Sequence, residues 1–404
     1  MAKQEEKPKT PRDLRRQARE IADSLAIAFI LAMIIRHYVL EVFKIPTKSM
    51  EPTLLGDPWS GDKILVNKFT YDLREPRRWE IAVFKYPQDT TKNYIKRVVG
   101  LPGETLRVRC GDLYVNDRIA RKPWRVQQAL WRLCPHSGEA KSWQPSRPDD
   151  AARWTLADGA FEADARSAPD ATELDYARDI LAYEATNNSY RARPLPTILT
   201  SDIMVQFRLL PRQSGGSVSV GIDVYSPQGL YETSRRLLDR WRVVIPLDRA
   251  EGSIEVYRND AHFASSEPCR FPPGRATLVQ VCNVDQSTIV RVDGREVLRK
   301  EHEPGDDASP QAAIATAAKV SLGCRQAHVT LRDPGIYVDV YYTDHPNTYG
   351  VREPFQLGPD EYFAMGDNSV NSNDSRAWKT VPRSYLVGEA FQVLWPLGRM
   401  RLVR

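Results

Sequence analysis

The sequence predicts a mainly β protein with a single N-terminal transmembrane helix and a large inserted β-sandwich or jelly-roll-like domain. Three observations lead there. One long apolar run lies near the start, short alternating segments with little helical periodicity follow it, and a middle section of different texture separates two parts of similar style. The 404 residues and 42% apolar content suffice for two or three domains with real cores. A negative mean hydropathy excludes a multi-span membrane protein. The net charge of +5 is mild, and Lys and Arg are interspersed with Asp and Glu, which describes a solvated surface and not a nucleic-acid footprint.

Residues 1–20 form a polar leader richer in Lys and Arg than in acids, and the apolar run of residues 21–42 follows. A helix needs about 20 residues to cross a bilayer, so this run reaches across if Arg36 snorkels to the headgroups. The basic flank puts the N-terminus in the cytoplasm and the rest of the chain outside the inner membrane. No small-x-small cleavage site follows the run, so it reads as an uncleaved anchor.

Beyond the anchor, "DKILVNKFTY", "WEIAVFKYP" and "NYIKRVVGLPGETLRVRCGDLYVNDRIA" read as strands with turn punctuation at "LPGE" and "VND". Residues 43–121 form a first core part, residues 122–341 an insertion, and residues 342–404 a second core part. The insertion opens with a Trp- and Arg-rich, then Asp- and Ala-rich stretch to about Thr197. Eight short alternating runs then carry it to the end, with "VRVDGREVL" suiting a tight primed hairpin turn. The five cysteines and six histidines show no metal-site spacing, so no metal or cofactor is expected. Bridged cysteines and buried single thiols remain equally open.

Chemistry concentrates in three short blocks. "KIPTKSMEPT" sets Ser49 just past the apolar run, and a serine nucleophile needs a base. No motif surrounds His37, His136 or His345. Lysine is the other option, provided burial keeps its amine neutral. In "NYIKRVVGLPG" an extended strand puts Tyr94, Lys96 and Val98 on one face and Ile95, Arg97 and Val99 on the other. Lys96 then stands between an aromatic and a β-branched residue. In "YFAMGDNSVNSNDSRAWKTVP" Ser372, Asp374 and Arg376 alternate, so an extended segment would point them the same way, ready to orient a neutral lysine. Taken singly, each has an ordinary structural explanation as a strand-edge lysine or a surface Asp–Arg pair.

In content and order these blocks resemble the bacterial type I signal peptidases, membrane-bound serine proteases with a Ser/Lys dyad. "SMEPTL" resembles the family's nucleophile box, "YIKRVVGLPGE" its general-base box, and "GDNSVNSNDSRAW" its third box. The strand pair between the first two and the closing "GEAFQVLWPLGRMRLVR" are similar as well. The resemblance covers roughly residues 20–120 and 345–404.

It implies Ser49 as nucleophile, Lys96 as base, and Ser372, Asp374 and Arg376 as supporting residues. It also implies an oxyanion hole made by the Ser49 N–H and the hydroxyl of Thr47, where the family commonly has serine. Signal peptides of exported preproteins would be the substrates, cut after small residues in Ala-x-Ala. Met50, Leu54, Tyr94 and Ile95 would line the −1 pocket, with Phe43 and Ile45 toward −3. "NSVNS" departs from a charged pair common at Ser369–Val370, a change expected to be neutral. The insertion's strands resemble lectin-like jelly rolls in style, which raises glycan binding beside a plain structural cap. Two other classes compete: a membrane-anchored glycan-binding protein with an inactive core, and a self-cleaving repressor relative. The intact Ser49, Lys96, Ser372, Asp374 and Arg376 speak against the first. A membrane span where a DNA-binding helix-turn-helix would sit speaks against the second.

Overall fold

The computed structural model describes residues 11–183, 198–226, 236–248, 251–302, 316–343 and 349–403. An N-terminal helix, Pro11–Tyr38, leads into β1 (Leu40–Lys44), β2 (Lys63–Asn67), β3 (Ile81–Tyr86) and the long β4 (Asp89–Gly100). Antiparallel pairing orders the main core sheet as β1, β2, Leu386–Trp395, β3, β4, Glu361–Met365 and Val381–Pro382. Strands from both ends of the chain therefore alternate in one sheet, and neither core part can complete it alone. A second, four-stranded sheet joins Phe355–Gln356 to Thr105–Arg109, Asp112–Val115 and Arg118–Ile119. Apolar residues fill its junction with the main sheet, among them Val99, Leu106, Leu113 and Phe363.

The insertion consists of one eight-stranded and one seven-stranded antiparallel sheet. They share a core in which Phe161, Phe207 and Val329 from one sheet meet Val220, Trp241 and Leu322 from the other. All eight expected runs form strands, and Asp293 and Gly294 take φ of 46° and 81° in the expected primed turn. The opening stretch is more regular than its composition suggested. It contains a helix, Trp124–Leu130, and the strands Trp143–Pro145, Trp154–Ala157, Ala160–Asp164 and Thr172–Tyr176. Their apolar residues alternate inward among half-buried charges, a pattern that short strands carry weakly.

Two boundaries differ from expectation. "FTY" leaves its strand, because Thr70–Leu73 coil into a helical turn. The apolar run also stops being helix at Tyr38, and Leu40–Lys44 pair with Lys63–Asn67 as β1. Only twelve residues separate Asp23 from Arg36. Among the described residues no helix is long and apolar enough to cross a membrane. The helix does hold Ile21, Leu25, Ile27, Phe29, Ile30, Leu31 and Met33 exposed. All five cysteines are free thiols, four of them buried. His345 and residues 1–10 lie outside the described residues.

Candidate active site

After β1 the chain buries Ile45, runs extended through Thr47, and turns in a short 3-10 segment, Lys48–Met50. The turn drives Met50 into the core and buries Ser49 beside it, with Ser49 Oγ 3.5 Å from Thr47 Oγ1. Lys96 approaches from β4. Its Nζ lies 2.7 Å from Ser49 Oγ, donates to Ile95 O at 3.0 Å, and stands 5.5 Å above the Tyr94 ring. The lysine is 4% exposed. Burial pushes its ammonium down to about 8, against the opposing pull of Asp374 and Asp367. A free amine at hydrogen-bond distance from a hydroxyl is the arrangement that general-base activation requires.

The third block closes over this pair. The strand Glu361–Met365 pairs with β4, aligning Ala364 with Val98 and Met365 with Arg97. The chain then passes Ser49 as Gly366, Asp367 and Asn368. Asn368 N donates to Ser49 O at 3.0 Å, and Asn368 Nδ2 donates to Lys48 O at 3.1 Å. Gly366 has to be glycine, because a Cβ there would stand 2.2 Å from Ser372 Oγ and 2.5 Å from Ser49 O. Ser372 Oγ is buried there, beside the Asp374 carboxylate that it helps hold ionised.

Asp374 and Arg376 meet as expected, but not through strand alternation. Asp374 caps the short helix Ser375–Trp378, its carboxylate accepting from Arg376 N at 3.2 Å, and the Arg376 guanidinium folds back onto both carboxylate oxygens. The Ser-Arg sequence after an aspartate favours a helix start over continued extension. Burial works to raise the Asp374 carboxyl, but the Arg376 guanidinium with the Ser372 hydroxyl and the Gly366 N–H leaves it below the usual carboxylate range. The other Arg376 donors reach Thr343 and Ser369.

Ile45, Met50 and Leu54 are fully buried, with Phe43 and Ile95 packed against them in one cluster. Tyr94 packs on the opposite side of the sheet, stacked on Tyr86 at 4.1 Å. Five of the six expected pocket residues therefore share one apolar patch, while Tyr94 flanks Lys96 instead.

Sequence reasoning missed a second buried pair behind the first. Arg97 donates from Nε and Nη2 to the two Asp367 oxygens at 2.7 Å each, and both side chains are fully buried. Thr53 Oγ1 completes the knot by donating to Asp367 Oδ2 at 2.5 Å. An arginine on the otherwise apolar Ile95–Val99 face was the available signal. Val370 joins Ala182 and Tyr183 of the insertion in a small apolar contact, with Ile198 and Tyr341 packed against it.

A buried Ser–Lys dyad on a strand-built core defines a class of serine hydrolase that works without histidine. Comparison with known proteins agrees. The sequence model of the family described as "Signal peptidase, peptidase S26" matches residues 18–145 and 287–395. The chain is similar to a signal peptidase I of Pseudomonas aeruginosa, 40% identical over 113 residues, 25% of this chain and 38% of the relative. A probable signal peptidase I-2 of Synechocystis is 42% identical over 106 residues, 25% of this chain and 46% of that one. The match thus spans less than half the length of either relative. Among solved structures, a protein of unknown function with a galectin-like fold from Bacillus subtilis aligns with 52% of this chain and 100% of its own. Its identity is 9% and its TM-score 0.35, a likeness too slight to say what the insertion binds. The chain belongs to the signal peptidase S26 family.

Proposed function

We propose that the protein is a membrane-bound signal peptidase that removes N-terminal signal peptides from exported preproteins after small residues. The observation that carries this is the 2.7 Å contact between Ser49 Oγ and a buried Lys96 whose amine is lowered to about 8. Neutral Lys96 takes the Ser49 proton as Oγ attacks the carbonyl carbon of the residue at −1. The Ser49 N–H and the Thr47 hydroxyl stabilise the oxyanion. The lysine then gives its proton to the leaving amine. A water, deprotonated by the same amine, releases the acyl group and regenerates the serine. Asp374, Arg376 and Ser372 hold the wall against which Lys96 is positioned. The patch of Phe43, Ile45, Met50, Leu54 and Ile95 supports shallow pockets for small side chains at −1 and −3, with Tyr94 beside the base.

The exposed apolar side chains of the N-terminal helix support its insertion in the cytoplasmic membrane, with the N-terminus in the cytoplasm and the catalytic core outside. The insertion is a jelly-roll-like sandwich that acts as a cap on the core. The test is cleavage of an Ala-x-Ala preprotein by detergent-purified enzyme beside Ser49→Ala and Lys96→Ala. Cutting after the second Ala by the wild type alone supports the dyad. Equal cutting by all three refutes it, and no cutting by any favours an inactive core.

A further inference from the structure

The third block carries one apolar residue in the polar run "GDNSVNSND", Val370. It lies in the 3-10 turn Ser369–Asn371 and is 6% exposed. Its apolar neighbours are Ala182, Tyr183, Ile198 and Tyr341, all from the insertion. The segment that meets it is fixed to the sandwich. Ala182 N donates to Ile198 O at 2.9 Å, and Arg132 donates to Ala182 O from the strand Arg132–Leu133, which pairs with His328–Val338.

A second, polar grip holds the same turn. Ser369 Oγ accepts from Thr343 N at 2.8 Å and from Arg376 Nη1 at 2.6 Å. Arg376 Nη1 also donates to Thr343 O at 2.8 Å. Thr343 stands on the exit from His328–Val338, the last strand of the sandwich. A cavity of about 150 Å³ lies beside the turn, lined by Pro52 and Leu55 of the nucleophile block and by Asn368, Val370, Tyr183 and Tyr341. Close packing is missing on that side, so the position of the turn rests on the contacts through Val370 and Ser369. Asn368, just before the turn, donates to the main-chain oxygens of Ser49 and Lys48, and Asp374, just after it, is the buried carboxylate paired with Arg376.

We propose that the insertion is a positioning element of the catalytic site: by clamping the Ser369–Asn371 turn it holds Asn368 against the nucleophile turn and Asp374 in the wall behind Lys96. Val370, Tyr183 and Thr343 are its positioning residues. The kinetic consequence rests on the Ser49–Lys96 reading proposed above; the clamp itself does not. A misplacement of about 1 Å, caused far from the chemistry, costs about a hundredfold in rate. Position 370, expected from the sequence to be neutral to change, then bears on turnover.

The experiment compares the full detergent-purified chain with Val370→Ala, Tyr183→Ala and the double variant, on an Ala-x-Ala peptide and by amide hydrogen exchange. Each is assayed well below its melting temperature, so that lost stability alone leaves the rate unchanged. In each single variant kcat should fall about tenfold or more, with KM within about twofold of wild type. The double variant should lose no more than the worse single one, because both remove the same contact. Val370→Ile, which extends toward the cavity, should keep most of the rate. Independently of activity, exchange in peptides covering residues 366–374 and 47–54 should quicken in the variants while the sandwich sheets stay protected. Thr343→Val, nearly isosteric, tests the polar grip by the same two readouts and serves if a truncated variant does not fold. Unchanged kcat and unchanged exchange in folded variants would overturn the clamp, as would losses that multiply in the double variant. A raised KM at constant kcat would overturn it too, in favour of an insertion that binds substrate. A wild type that cuts nothing while the exchange coupling holds refutes the Ser–Lys reading and supports the clamp.

Discussion

Lys96 sets a quantitative expectation for the pH dependence of cleavage. With the amine at about 8, roughly one molecule in eleven carries the free base at pH 7, about half at pH 8 and about nine in ten at pH 9. An ordinary lysine near 10.4 would supply only about one in 2,500 at pH 7, so burial provides about a 200-fold gain in active base. The rate kcat/KM on an Ala-x-Ala peptide should therefore rise about tenfold per pH unit below 7 and level off above 9. The sign for stability runs the same way. Between about pH 8 and 10.4 the unfolded chain holds a proton on Lys96 that the folded chain does not, so stability rises with pH across that window. Near pH 7 the buried ammonium costs about 3 kcal/mol, which Lys96→Met should return as added stability while abolishing cleavage. The assay pairs a pH profile from 6 to 10 in detergent with denaturant melts at pH 7. A half-maximum near 6.5 would point to a histidine, and one near 10 to an undesolvated lysine. Either would refute the assignment.

Other outcomes follow from the same geometry. Gly366→Ala should cut activity at least tenfold in the peptide assay, because its Cβ would collide with Ser372 Oγ and Ser49 O. Asp367→Ala strands the fully buried Arg97 and should cost about 3–5 kcal/mol in urea melts. Thr47→Val should lower kcat by about 10²–10³ with little change in KM, while Thr47→Ser should retain most of the activity.

The sequence made Ser49 and Lys96 legible because each sits in a short local block whose residue types state their chemistry. The eight alternating runs of the sandwich were legible for a similar reason, since alternation is a local property. What stayed hidden depends on distance along the chain. Arg97 finds Asp367 270 residues later, and no local pattern records that meeting. Asp374 and Arg376 were correctly paired for the wrong reason, since a helix cap and not strand alternation brings them together. The early strands of the insertion were obscured by charged and small residues that carry only a weak period. The helix boundary at Tyr38 was hidden because apolar residues serve equally in a helix and in β1.

The order in which the chain is made also bears on when it can act. Ser49 and Lys96 are synthesised early, but Asn368, which grips the Ser49 carbonyl, and Asp367, which anchors Arg97, come after the whole insertion. The main sheet likewise waits for Leu386–Trp395 to separate β2 from β3. A nascent or truncated chain thus holds both reactive groups with nothing to align them. On the proposed mechanism, the two groups are aligned for catalysis only when the last strand is in place.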